Sequence, residues 1–168
     1  DVSDNQFANY TKTFQSLGSL LNMNYLDDMA GVLGKDVASY NPVYEVLKDN
    51  QVQRILRRDG YEFINMGNWW EPTRINPNAD ANISGRPISE YMLNYVQLTP
   101  LRHFFPKDIQ ALCDLVEQQK AQVLKAVQSE TPQFVFWHLF SVHDPYMYDE
   151  NGNCFTGQRT DWNWKKRK

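Results

Sequence analysis

Hydroxyl side chains lie close to the start of an amphipathic segment near the beginning of the sequence. Thr11, Thr13 and Ser16 precede or open a stretch in which apolar residues recur at helical spacing to about Met23. A Thr at the start of a helix can cap unpaired backbone N–H groups, or it can face an anion that those groups attract. As a nucleophile, its hydroxyl would also need a base or a metal ion. Local propensity favours the capping role and does not separate Thr11 from Thr13.

Two histidines accompany an apolar run in the second half of the chain. The run Gln133–Phe140 contains His138, and His143 follows it. Its nearly continuous β-prone character is typical of a strand that is covered on both faces. Because the carboxyl ends of parallel strands border the ligand crevice, His143 is placed to ligate a metal or to hydrogen-bond a phosphoryl oxygen. We interpret His138 more simply as a packed imidazole with one hydrogen bond.

A third group of residues suits the binding of a sugar or a lipid headgroup. Trp69, Trp70 and Arg74 occur within the Asn- and Pro-rich stretch Asn68–Pro87, which predicts a long ordered loop. Stacked indole rings with a nearby guanidinium can hold such a ligand, but the same rings can also serve only to anchor the loop.

Helices and short strands must position these groups. Spacing and capping signals predict helices over Thr13–Met23, Asn41–Lys48 with Asn41 as N-cap, Gln51–Arg58 and Ile88–Leu98, and a long one between Pro106 and Thr131-Pro132. Tyr61–Met66 is the only other convincing strand, bounded by Gly60 and Gly67. Two strands separated by helical crossovers predict a parallel sheet in an α/β layered fold. Two strands are too few to stand alone, so we expect the chain to be part of a larger domain.

The composition is that of a folded, near-neutral protein. The 168 residues include 5 Trp, 9 Tyr and 9 Phe with a net charge of −3, which excludes disorder and argues against a nucleic-acid partner. No apolar run reaches the length that a membrane span needs. Cys113 and Cys154 lack the spacing of a zinc or redox motif, and we interpret them as one buried and one surface thiol.

Two segments of the sequence resemble one protein family. The first, Asn9-Tyr10 through Thr13, Ser16-Leu17, Ser19 and Leu21-Asn22-Met23, resembles the nucleophile segment of the sulfatase-like members of the alkaline phosphatase superfamily whose nucleophile is Thr. The second, Phe134-Val135-Phe136-Trp137-His138 with His143-Asp144-Pro145-Tyr146 and Asp149-Glu150-Asn151-Gly152, is similar to a later strand and its H-x-P-Y loop. Membrane-anchored phosphoethanolamine transferases and lipoteichoic acid synthases share both features.

The resemblance implies a three-layer α/β/α fold with a mainly parallel sheet, of which residues 1–168 are the N-terminal to middle portion of a single domain. It implies that Thr13 is the nucleophile and a metal ligand, and the T-x-x-S-L spacing to Ser16 selects Thr13 over Thr11. His143 would contact the transferred group, and Trp69, Trp70 and Arg74 would bind the rest of a phosphate or sulfate ester such as a lipid headgroup or glycan. A zinc or manganese ion would lower the pKa of the Thr13 hydroxyl. The parent enzyme would be membrane-anchored and extracytoplasmic.

Two elements of the family pattern are missing from the sequence. No acidic metal ligand precedes the nucleophile segment at the expected distance, and no D-H-G motif follows the H-x-P-Y loop. Thr13 and His143 alone would give a metal too few ligands, so we expect this chain by itself to be inactive and its longer parent to be the enzyme. The alternative is a non-catalytic binding or interaction domain that retains part of the fold. An unrelated structural α/β domain would be favoured if the two apolar strands were not neighbours.

Overall fold

The computed structural model describes residues 7–34, 36–84, 90–104, 109–139, 147–149 and 151–154. Its α-helices are α1 (Thr13–Asn22), α2 (Asp27–Leu33), α3 (Asn41–Lys48), α4 (Gln51–Arg58), α5 (Glu71–Arg74), α6 (Glu90–Gln97) and α7 (Ile109–Val127). Its strands are β1 (Glu62–Met66), β2 (Ala81–Asn82) and β3 (Gln133–Trp137), and a 3-10 helix spans Pro100–His103. No helix among the described residues is both long and apolar enough to cross a membrane.

The three strands form one parallel sheet in the order β2-β1-β3. β1 and β3 pair over their full lengths, from Glu62 opposite Gln133 to Met66 opposite Trp137. This confirms an α/β fold with a parallel sheet, in which the two apolar strands are neighbours. The expectation that no third strand exists is wrong, because Ala81–Asn82 pairs with the other side of β1.

The core lies on the central strand β1 and under α7. Phe63 and Met66 are almost completely buried, and the ring of Phe63 stacks on that of Phe134 at 5.2 Å between centroids. The α7 residues Leu112 and Val116 are also buried. Among the described residues β3 lies at one end of the sheet, and its five residues are only half-buried, so the prediction of a strand covered on both faces is wrong. Both of its faces are partly covered, since all five residues have intermediate burial.

The first helices pack together beside the sheet. Gly18 of α1 faces α3, where a Cβ would make an ordinary van der Waals contact with Val43 Cγ1 at 3.4 Å. Asn22, the last residue of α1, bonds to both α3 and α4. Its Nδ2 donates to the Val46 carbonyl at 2.9 Å, and its Oδ1 accepts from the Gln51 N–H at 3.1 Å. α1 is thereby held by contacts distant in sequence as well as by its own hydrogen bonds.

Local signals fixed several helix ends. α4 spans Gln51–Arg58 as predicted, with the Asn50 side chain accepting from the Gln53 N–H and Gly60 at φ 87° after its end. α3 differs by one residue, because Tyr40 is its N-cap and Asn41 is already helical. The predicted N-cap role of Asn41 is therefore wrong.

The connection after β1 is more ordered than a loop. It contains α5 and β2, and its amide side chains bond one another and the backbone. The Asn65 side chain, which is buried in β1, donates to Asn82 Oδ1 at 3.0 Å. That same oxygen accepts from the Asn76 N–H at 2.8 Å, while Asn82 Nδ2 donates to the Asn76 carbonyl at 2.9 Å. These bonds satisfy polar groups of the buried residues Asn65 and Asn76 that would otherwise be unpaired.

A disulfide joins Cys113 of α7 to Cys154 across a sequence separation of 41 residues. The interpretation of these residues as two free thiols is therefore wrong. The bond attaches the segment 147–154 to α7, where the buried Met147 packs with Leu112 and Val116. The pairing depends on a tertiary contact, so the spacing of two cysteines in the sequence gave no signal for it.

Candidate functional site

Thr13 lies at the first position of α1, and its hydroxyl is exposed. Lys12 occupies the N-cap position and makes no side-chain capping bond, so neither Thr11 nor Thr13 is the N-cap. No acidic side chain lies in the first turn, and among the described residues the Thr13 hydroxyl has no hydrogen-bond partner. The capping interpretation of these threonines is wrong. The hydroxyl instead lies beside N–H groups that no side chain occupies.

Hydrogen bonds fasten the loop that leads into this helix start. The Tyr10 N–H donates to Ser16 Oγ at 3.0 Å, and Ser16 Oγ donates to the Tyr10 carbonyl at 2.7 Å. Asn9 Nδ2 donates to the buried Ser19 Oγ at 2.9 Å, and the Tyr10 hydroxyl accepts from the Leu26 N–H at 2.6 Å. Ser16, three residues after Thr13, thus bonds to the loop rather than to the helix start. A loop fixed in this way keeps the backbone before Thr13 in one position.

The described residues do not supply a metal site. No group of three or more His, Cys, Asp or Glu side chains lies close enough to bind an ion within the described part of the chain. His143, the other residue expected at the reacting group, lies outside the described residues. A single Thr hydroxyl is fewer ligands than zinc or manganese requires. The described residues alone therefore supply too few ligands for the metal that the resemblance implies.

Trp69 and Trp70 lie just beyond the carboxyl end of β1, in the segment that the sequence predicted as a long ordered loop. Trp69 is half-buried and packs on the cluster of Leu112, Val116 and Met147. Trp70 points its ring edge-on at His138, with 5.5 Å between centroids. Arg74, whose side chain is only 15% exposed, pairs with Glu71 at 2.9 Å. Trp69 thus has the contacts of a loop anchor, and the substrate role of these three residues stays a prediction.

His138 follows β3 directly and joins it to α5. Its Nδ1 lies 3.1 Å from Thr73 Oγ1, and its carbonyl accepts from Asn68 Nδ2 at 2.6 Å. Burial lowers the pKa of His138 from 6.5 to about 4, because the charged imidazolium loses its hydration there. The ring is therefore neutral at neutral pH. These contacts fit the packed imidazole that the sequence predicted.

Gln119 of α7 is a buried polar residue at this end of the sheet that sequence reasoning missed. Its Nε2 donates to the Gly67 carbonyl at 2.6 Å and to the Ile83 carbonyl at 3.1 Å, and its Oε1 accepts from Trp137 Nε1 at 2.8 Å. It therefore bonds the residues that follow β1 and β2 and the last residue of β3. The available signal was its position, because Gln119 continues the helical spacing of the buried Leu112 and Val116.

A small cavity of about 20 Å³ lies between α7 and the residues that follow β1 and β3. Its lining residues include Trp69, Gln119, His138 and Met147. Such a volume holds about one water molecule and no organic ligand. Gly67, directly after β1, packs against the backbone of Arg74 so closely that a Cβ there would collide with the Arg74 carbonyl oxygen. The residues that follow the carboxyl ends of β1 and β3 are thus closely packed.

The structure divides the predicted site residues into two regions. One region is the segment after β1, which contains Trp69, Trp70 and Arg74. The other is α1, which carries Thr13 and packs mainly on α3 and α4. His138, which was not among the predicted functional residues, joins the tryptophan group. Comparison of the chain with protein-family models, with curated proteins and with solved structures finds no match.

Proposed function

We propose that this chain is a portion of a metal-dependent hydrolase or transferase that acts on phosphate or sulfate esters with Thr13 as its nucleophile. The observation that carries the proposal is the exposed Thr13 hydroxyl at a helix start that no side chain caps. The resemblance of the surrounding sequence to the nucleophile segment of sulfatase-like enzymes supports it. The proposed domain has three α/β/α layers, completed by residues outside the described part.

Several groups favour an ester anion beside Thr13. The free N–H groups of the first turn of α1 carry the positive end of the helix dipole. Lys12 is exposed directly before Thr13, and it forms no ion pair among the described residues. The fastened loop through Tyr10 and Ser16 limits the motion of the backbone that carries the hydroxyl. An anion at this point gains charge-assisted hydrogen bonds in an arrangement that exists before it binds.

The reaction would proceed in two steps. Thr13 Oγ loses its proton and bonds to phosphorus or sulfur, while the bond to the ester oxygen breaks and that oxygen takes up a proton and leaves as an alcohol. Water or a second alcohol then loses a proton, bonds to the same phosphorus or sulfur and displaces Thr13 Oγ, which takes up a proton again. When bound, a zinc or manganese ion would assist by making the hydroxyl a stronger nucleophile. Since the described residues do not form that site, its other ligands would have to come from elsewhere in the protein.

The remaining expectations belong to the same proposal. His143, Trp69, Trp70 and Arg74 would bind the substrate, such as a lipid headgroup or a glycan. The parent protein would be extracytoplasmic and membrane-anchored. The Cys113–Cys154 disulfide supports an oxidising compartment, because disulfides persist there and are rare in the cytosol.

The test uses the full-length protein with added zinc or manganese and three substrates: an aryl phosphate, an aryl phosphodiester and an aryl sulfate. We expect turnover of at least one, and we expect Thr13→Ala to abolish it. Thr11→Ala is the matched control, since Thr11 is also exposed and lies two residues away outside the helix. Thr11→Ala should leave kcat/KM unchanged.

A second readout is the covalent intermediate. Peptide mass analysis after rapid acid quenching should find the phosphoryl or sulfuryl group on the peptide containing Thr13, with none in Thr13→Ala. Turnover that persists in Thr13→Ala would refute Thr13 as the nucleophile. Binding of the esters without turnover, under every metal condition, would favour the non-catalytic binding domain instead.

A further inference from the structure

The region from α6 to the 3-10 helix exposes a set of large apolar side chains. We call it the α6 surface, and it consists of Tyr91, Met92, Tyr95, Leu98, Leu101 and Phe104. Each of these residues is more than half exposed, and Leu98 and Phe104 reach 85% and 78%. The main packing partner of α6 among the described residues is the 3-10 helix itself. Soluble proteins rarely leave so many large apolar side chains together in water.

The side chains of the α6 surface are aligned rather than scattered. Tyr91, Tyr95 and Leu98 follow the i, i+4, i+7 spacing of one helix stripe. The rings of Tyr91 and Tyr95 lie 4.6 Å apart edge-on, and their hydroxyls are 2.7 Å apart. Leu101 and Phe104 are three residues apart, which aligns them on the tighter 3-10 turn. The two tyrosines thus restrain each other in the unbound chain, which reduces the entropy that they would lose on binding.

The composition of this surface is that of a protein–protein interface. Tyr, Phe, Met and Arg are enriched at interface cores, whereas Lys, Asp and Glu are depleted. Between residues 91 and 104 the sequence has one arginine, Arg102, and neither lysine nor acidic residues. A helix that binds a lipid surface instead carries several lysines or arginines on its polar face. The residue types therefore favour a protein partner over a membrane.

The exposed area suits a second copy of the chain. At these exposures, the six residues present roughly 780 Å² of surface, taking about 200 Å² for each side chain and its backbone. A standard stable interface buries about 800 Å² on each partner. A two-fold axis through the surface would place the same patch on both sides, as isologous dimers require. The net charge of −3 is too small to oppose such pairing strongly.

We propose that the α6 surface is the interface through which two copies of this chain pair. Tyr91 and Tyr95 supply the aromatic anchors, and Leu98 and Phe104 are the apolar residues that lose the most solvent on pairing. The proposal does not depend on the reaction proposed for Thr13.

The test measures mass in solution by light scattering and sedimentation of the full chain over low to high micromolar concentrations. We expect a concentration-dependent dimer whose dissociation constant rises at least about thirty-fold in Leu98→Asp and in Phe104→Asp, as for an interface hot spot. Val32→Asp is the matched control, because Val32 is 87% exposed on α2 and lies outside the α6 surface. It should dimerise as the wild type does.

Other outcomes would overturn the proposal. A monomer at every concentration excludes a second copy as the occupant. A dimer that Leu98→Asp and Phe104→Asp leave intact assigns the pairing to another surface. A monomer that co-sediments with phosphatidylglycerol–phosphatidylcholine vesicles, and loses that binding in both variants, makes a lipid surface the occupant. Circular dichroism and urea midpoints equal to those of the wild type establish that each variant is folded.

Discussion

Acidification should destabilise this protein through His138. The folded chain keeps the ring neutral, since burial lowers its pKa from 6.5 to about 4. Below pH 6.5 the unfolded chain therefore binds a proton that the folded chain does not yet bind. Stability attributable to this group is present above pH 6.5 and declines as the pH falls toward 4. The difference between the two pKa values, at about 1.4 kcal/mol per unit, limits the total loss to about 3.5 kcal/mol.

The effect at an accessible pH follows from the same two values. Between pH 7 and pH 5, the His138 contribution should reduce the free energy of unfolding by about 2 kcal/mol. Two carboxyl groups have pKa values lowered from 3.8, Asp49 by its hydrogen bond to Arg54 and Asp149 by backbone N–H groups led by that of Asn153. Their contributions are lost only as the pH falls below about 4, outside this window.

The assay is urea unfolding, followed by tryptophan fluorescence at pH 7 and pH 5. We compare the wild type with His138→Gln, whose amide can still bond Thr73 Oγ1 but does not titrate. The variant should lose about 2 kcal/mol less than the wild type between the two pH values. His103→Gln, at an exposed position of the 3-10 helix, is the matched control and should retain the wild-type difference. Equal pH dependence in the wild type and His138→Gln would refute the reasoning.

Two further predictions concern the contacts of α7. The double variant Cys113→Ala/Cys154→Ala should unfold with a free energy about 3–4 kcal/mol lower, because the disulfide closes a long loop in the unfolded chain; urea midpoints equal to those of the wild type would contradict this. Gln119→Leu should cost about 2–4 kcal/mol, since it leaves the Gly67 and Ile83 carbonyls and the Trp137 N–H without this partner. Gln118→Leu, one residue away and exposed, should change stability by less than about 0.5 kcal/mol, and equal losses in the two variants would argue against the buried network.

The elements that the sequence predicted well depend on short-range interactions. The bounds of α4 follow from the amphipathic spacing of Gln51–Arg58 and from Gly60, which adopts the left-handed conformation that glycine tolerates. β1 is a short apolar run between two glycines, and it lies within one residue of the prediction. All of these signals act over a few residues, so they are visible in a linear sequence.

The elements that were missed depend on partners far along the chain. β2 has only two residues, both exposed, and is a strand because it pairs with β1 and because Asn82 bonds to Asn65. The Cys113–Cys154 bond likewise needs α7 and segment 147–154 to meet. Neither contact has a local signature that separates it from an ordinary turn or a free thiol.

The candidate site shows the same division. Position before an apolar helical stripe pointed to Thr11 and Thr13 alike, and only the resemblance to the sulfatase-like nucleophile segment, with its T-x-x-S-L spacing to Ser16, selected Thr13. Only the tertiary structure showed that Lys12 is the N-cap, that Ser16 bonds to Tyr10, and that the Thr13 hydroxyl is left exposed. Helix position is determined by the periodicity of neighbouring side chains, whereas the partner of each polar group depends on which distant backbone the fold brings to it.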